Sequence, residues 1–153
     1  MINRILISLI FLILASCGFS PIYNNAEKTN YNIIIVEKKG DNTINNRIIS
    51  EMKRKVNPNS TVLYKVKINT EFNKVIISKD SKGSASNYKL SATSIFEIEY
   101  ENEKKEIILS ESQNIKKDSN IFNQRNYENN IKNNFATSIV NKINLKLINF
   151  RWF

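Results

Sequence analysis

The chain contains no histidine, a single cysteine, two prolines and three glycines. Each scarcity removes something. Without histidine there is no imidazole to act as a general base, proton shuttle or zinc ligand near neutral pH. Ser-His-Asp and Cys-His arrangements are therefore excluded. One cysteine cannot close an intramolecular disulfide. So few glycines and prolines argue against loop-rich or solenoid construction, and no self-similar period runs through the chain. The longest apolar stretch falls well short of the ~20 residues that span a bilayer as a helix.

What is present fits one domain. The 153 residues are 41% apolar, enough for a real core. Lys and Arg number 23 against 14 Asp and Glu. Such an excess points to an anionic partner. Its sources are scattered, however, and no basic block interleaves with aromatics as in a single-strand binder. No nucleic-acid partner is expected. The joint abundance of Lys, Asn and Ile also matches AT-rich coding bias, which accounts for part of the charge.

The lone cysteine has a telling position. Met1 to Arg4 carry one positive charge. Residues 5–15 then run almost unbroken in apolar side chains, the length of a signal-peptide core. Leu14-Ala15-Ser16-Cys17 comes next: an apolar branched residue, two small residues and a cysteine. This is the bacterial lipobox pattern. Small residues fit a membrane-embedded peptidase, and the Cys17 thiol is the nucleophile that takes a diacylglyceryl group. Cleavage then makes Cys17 the amino terminus, where an N-acyl chain is added. Two or three chains anchor stably where one does not. Gly18, in place of Asp, suggests outer-membrane sorting by resemblance to Gram-negative lipoproteins. The expected organisation is a signal peptide over 1–16, a lipidated tether over 17–30 and one α+β domain over 31–153.

Within that domain, residues 31–36 read as a short buried strand. Residues 38–41 read as a turn, and Asp41 or Thr43 is placed to cap a helix. In that helix Ile44, Ile48, Ile49, Met52 and Val56 share a face, and Lys53, Arg54 and Lys55 suit its carboxy-terminal dipole. Residues 61–72 alternate as a half-buried strand that extends through the apolar run 75–77. The most loop-like segment is 78–87. Residues 88–100 alternate again, 101–104 form a hairpin turn, and 107–115 form another strand. Residues 127–150 form a helix with Tyr127, Ile131, Phe135, Ile139 and Ile143 on one stripe. The order is β-α-β-β-β-α. It predicts a two-layer α+β sandwich, with two helices packed on a mostly antiparallel sheet of about four strands.

"CGFSPIY", "SNYKLSATSIFEI" and "NYENNIKNNFATSIVNKINLKL" resemble, respectively, the mature start, central strand and long final helix of the lipopolysaccharide-assembly lipoprotein LptE family, alphaproteobacterial type. The resemblance covers essentially the whole mature chain. It implies a non-enzymatic outer-membrane lipoprotein facing the periplasm or a barrel lumen. Its implied partners are an LptD-type β-barrel, which it plugs and helps to assemble, and lipopolysaccharide. No cofactor or metal is implied beyond the acyl groups on Cys17. The alternative is another envelope-assembly accessory lipoprotein, pilotin-like in role.

Several side chains carry two readings. The 78–87 segment and its flanks carry Lys74, Lys79, Lys82 and Lys89. They either contact lipopolysaccharide phosphates or the barrel wall, or are ordinary solvated lysines. Lys65 and Lys67 are read as solubility and edge protection rather than ligands. Phe150, Trp152 and Phe153 form an interface anchor or close the core. Phe19, Ile22 and Tyr23 dock near the membrane interface or against the barrel, or belong to a plain tether. Glu97/Glu99 and Glu101/Glu103 are read as a solvated face rather than a glycosidase pair.

Overall fold

The structure, a computed structural model, describes residues 29–149. The expected signal peptide over 1–16, Cys17, Phe19, Ile22, Tyr23 and the carboxy-terminal Phe150, Trp152 and Phe153 lie outside the described residues. The element order is β1 (Asn32–Gly40), α1 (Asn42–Lys55), β2 (Leu63–Lys79), β3 (Ala85–Tyr100), β4 (Glu103–Lys116) and α2 (Ile121–Ile148). The sheet order is β1-β2-β3-β4. Strand β1 runs parallel to β2, with α1 as the crossover a parallel pair requires. The β2, β3 and β4 strands form an antiparallel meander. The α+β sandwich is as expected, with an open sheet packed on one face only.

Period-two alternation drives the sheet. Tyr64, Val66, Ile68 and Thr70 of β2 are buried, as are Leu90, Ala92, Ser94, Phe96 and Ile98 of β3. Ile44, Ile48 and Met52 of α1 and Ile139, Val140 and Ile143 of α2 close over them at 0% exposure. Burying each such aliphatic side chain is worth about 1.5–3 kcal/mol against leaving it in water. At one end of this core Tyr64 packs tilted against Tyr31 and edge-to-face with Tyr100, at ring-centroid distances of 5.2 and 5.5 Å.

Several boundaries differ from the sequence reading. Residues 38–41 are not a free turn: β1 continues to Gly40, after a register shift between Ile35 and Glu37. Asp41 is the cap of α1; its Oδ1 accepts the Ile44 amide at 3.0 Å. Of the expected loop 78–87, only residues 80–84 are a turn. Pairing persists to Lys79↔Ala85, because the hydroxyls and amides of Ser78, Ser86 and Asn87 bond one another across the ladder. The α2 helix begins at Ile121, six residues earlier than expected, since Asn120 Oδ1 accepts the Phe122 and Asn123 amides. Tyr127 is 47% exposed and lies off the buried stripe. A hairpin turn does fall within 101–104, but only residues 101 and 102 form it, since Glu103 and Lys104 already belong to β4. Glu101 and Asn102 have φ of +47° and +71°, the two positive values of a type I′ hairpin.

Candidate functional site: the hairpin end and the open sheet face

The β2–β3 hairpin is closed by a built turn. Asp80 Oδ1 accepts the backbone amides of Lys82 and Ser84, each at 2.9 Å. Gly83, at φ +79°, supplies the left-handed residue the turn needs. This end of the sheet also receives the start of α2. The Lys117 amide donates to the Ser86 carbonyl at 2.9 Å. Glu128 meets Lys74 at 2.5 Å, and Gln124 Nε2 donates to Glu128 at 2.6 Å.

The four lysines singled out in the sequence do not form one cluster. Lys74 faces the helices, paired with Glu128 and 4.2 Å above the Tyr88 ring. Lys89 projects from the opposite face, beside its cross-strand neighbour Val75. Lys79 ends β2 and Lys82 lies in the turn. Lys79, Lys82 and Lys89 make no ion pair among the described residues.

Sequence reasoning missed the apolar character of this end. Val75, Ile76 and Ile77 extend the strand as expected but are exposed, as are Ile121 and Phe122. Ile121 and Phe122 fell outside the expected helix. The signal that finds them is Asn120, a capping residue just before an apolar pair.

The open face of the sheet mixes ion pairs and neutral polar side chains with exposed aliphatics, among them Ile34, Val36 and Ile108. Lys65 pairs with Glu99 at 3.1 Å, and Lys67 with Glu97 at 3.5 Å. Lys104 adds a second contact to Glu99 at 3.8 Å. Those lysines hold the Glu99 carboxyl below its ordinary range. These exposed pairs make a solvated face and contribute little individually. Further along, Glu71, Thr93 and Ser110 share a register, with the two hydroxyls 3.0 Å apart, and Asn73, Ser91 and Ser112 make the neutral row beyond it. Among the described residues there is no cluster of three or more His, Cys, Asp or Glu suited to a metal. No helix among them is long and apolar enough to cross a membrane.

No family model matches the sequence, nor does any curated protein. Solved structures do. Rare lipoprotein B from Shewanella oneidensis superposes with a TM-score of 0.56 at 8% identity, over 77% of this chain and 97% of that one. A lipoprotein from Caulobacter crescentus gives 0.51 at 10% identity, over 78% and 88%. At such identities the likeness is one of fold. The described domain shares the fold of solved bacterial lipoproteins.

Proposed function

We propose that this chain is a non-catalytic outer-membrane lipoprotein of the LptE type. Acylated Cys17 tethers it. The α+β domain occupies and stabilises the lumen of an LptD-type β-barrel, and lysines at the hairpin end meet lipopolysaccharide phosphates.

One combination carries the reading. A lipobox ending at Cys17 precedes a domain whose β-α-β-β-β-α fold is that of solved lipoproteins. The surface chemistry supports it. A barrel lumen is polar and hydrated. The open sheet face offers it ion-paired lysines and glutamates at one end and hydroxyl and amide side chains along its middle. Glu97 and Glu99 are engaged by lysines rather than facing each other as an acid and base pair. Lys79, Lys82 and Lys89 are cations free to pair with phosphate oxygens.

The test is recovery of the tagged, full-length chain from outer membranes. A large LptD-type barrel should co-purify with it. Recovery of a secretin or another assembly machine, without such a barrel, overturns the assignment in favour of a pilotin-like role. For the glycolipid contact, lipopolysaccharide binding should weaken with salt. It should fall further when Lys79, Lys82 and Lys89 are replaced together by Gln, and less when Lys74, already paired with Glu128, is replaced.

A further inference from the structure

The hairpin end brings five exposed apolar side chains together with cations that have no ion pair among the described residues. Val75, Ile76 and Ile77 on β2 are 56%, 49% and 47% exposed. Ile121 and Phe122, at the start of α2, are 71% and 69% exposed. The register brings the two sets to one end. Glu128 meets Lys74, so the turn of α2 before it lies further toward the tip, where Ile76 and Ile77 sit. Ile76 faces the helix side, opposite Tyr88, and Val75 faces the other, opposite Lys89. The apolar surface therefore wraps the tip instead of lying on one face.

Charge surrounds it. Lys79, Lys82, Lys89, Lys116 and Lys117 all belong to this end. None of them is in an ion pair among the described residues. The carboxylates nearby are Glu128, paired with Lys74, and Asp80 and Asp118, which accept backbone amides. In the middle of the open face aliphatics such as Val36 and Ile108 are exposed too, but there the lysines are matched by glutamates.

We infer that this tip docks on an anionic lipid surface, its aliphatic side chains entering the interface while the lysines meet the headgroup phosphates. Neither half of the patch accounts for the other. Cations alone would serve a soluble anion, and would not need an apolar wedge among them. Aliphatics alone would suit a neutral protein groove, and would not need an excess of positive charge. Membrane-surface binding draws on both, because its strength rises with buried apolar area and with attraction to anionic lipid. Lysine stems can lie along the apolar surface while their ammonium groups reach the phosphates. The turn is rigid enough to present the wedge, since Asp80 ties both Lys82 and Ser84. Docking of this kind goes beyond the proposed function and needs no particular barrel.

The experiment uses the full chain reconstituted in vesicles, with a photo-crosslinking amino acid in place of Ile77, Phe122 or Ser110, one at a time. Ser110 is on the open face of β4, away from the tip. Its adducts measure whatever proximity an acyl anchor alone creates. In phosphatidylglycerol vesicles, lipid adducts at positions 77 and 122 should exceed those at 110 several-fold. The excess should fall in phosphatidylcholine vesicles. It should also fall when Lys79, Lys82, Lys116 and Lys117 are all replaced by Gln. Equal adducts at all three positions overturn the proposal. So do adducts that go to protein rather than lipid when purified barrel is added, which would make the tip a protein contact and leave barrel partnership standing. Adducts to added lipopolysaccharide with none to phosphatidylglycerol would overturn it too, assigning the tip to the single glycolipid.

Discussion

Asp41 is shared between the two helices: its Oδ1 caps α1 by accepting the Ile44 amide at 3.0 Å, and its Oδ2 takes Lys132 of α2 at 2.5 Å. Lys132 also lies 4.2 Å above the Phe72 ring of β2. One carboxylate thus joins the crossover helix, the long final helix and, through the lysine, the sheet.

Asp41→Ala removes both contacts, whereas Asp41→Asn keeps an acceptor for the cap. Loss of a cap alone costs about 0.5–2 kcal/mol. Asp41→Ala should lower the urea midpoint by at least that much, and Asp41→Asn by less. The difference should depend on pH. Burial pushes the Asp41 carboxyl up, but Lys132 and the Ile44 and Thr43 amides together hold it below its usual 3.8. A depressed carboxylate stabilises fully above its unfolded pKa and loses that contribution as pH falls through the folded one. The gap between wild type and Asp41→Ala should therefore be constant near neutrality and narrow below about pH 4. Glu111 obeys the same sign. Burial opposes its ionisation, but Lys142 and Ser138 outweigh burial.

Tyr31 provides the alkaline counterpart. Its hydroxyl donates to Asn144 Oδ1 at 3.0 Å in a buried site. Asn144 Nδ2 has no partner among the described residues. Tyr31→Phe leaves the acceptor unmet as well and should cost about 1–2 kcal/mol in chemical denaturation. Burial pushes the Tyr31 phenol up to about 12. A raised phenol contributes stability fully below its unfolded pKa of about 10, and loses it as pH climbs toward the folded value. Wild type should lose more stability than Tyr31→Phe between roughly pH 10 and 12. Parallel curves for the two proteins would show that Tyr31 does not titrate with unfolding.

Gly40 and Gly83 both have positive φ, yet they should respond differently to alanine. A Cβ at Gly40 would lie 1.9 Å from the Thr70 carbonyl oxygen; at Gly83 it would meet nothing within 4 Å. The close approach at Gly40 is where β1 hands over to α1, since the Asp41 amide donates to that same Thr70 carbonyl at 2.8 Å. Gly83→Ala should cost only the left-handed penalty, about 1–2 kcal/mol. Gly40→Ala should cost more, because backbone must move, and thermal denaturation of the pair should separate clearly.

The sheet carries one buried hydroxyl pair among the described residues. Thr70 Oγ1 and Ser94 Oγ are 2.7 Å apart at 0% exposure, on adjacent strands beneath the helices. Thr70→Val strands the Ser94 hydroxyl and should cost about 1–3 kcal/mol. Adding Ser94→Ala removes the stranded group. The double variant should then be less destabilised than the sum of the single changes, with a coupling measurable by a double-mutant cycle.

Much of this fold was legible because its signals are periodic. The two-residue repeat of Val62 to Phe72 and of Tyr88 to Tyr100, and the four-residue repeat from Ile131, survive into buried faces nearly unchanged. What escaped depended on contacts distant in sequence or on local polar geometry. The polar run around Ser78 and Ser86 looks like a loop until the hydroxyls are seen bonding across a ladder. Tyr127 continues the spacing of the α2 stripe, so periodicity alone counts it as core, but Gln124 is the buried side chain before Ile131 and Tyr127 is left 47% exposed. The basic residues near the hairpin were visible by composition. The division of Lys74 from Lys89 was not, because it depends on strand register: one is paired across from Leu90 and the other from Val75.

Cys17 carries the anchoring part of the proposal and is open to direct test. In cells fed a labelled fatty acid, the wild-type chain should incorporate label and fractionate with outer membranes. Cys17→Ala should do neither, since the thiol is the only atom able to accept the diacylglyceryl group. Each acyl CH₂ buried in the bilayer is worth about 0.8 kcal/mol, so the loss should appear as near-complete release or retention of an unprocessed precursor, not as a graded weakening. Persistent label on Cys17→Ala would reject the lipobox. A labelled chain that fractionates with inner membranes would keep the anchor and overturn the sorting expected from Gly18.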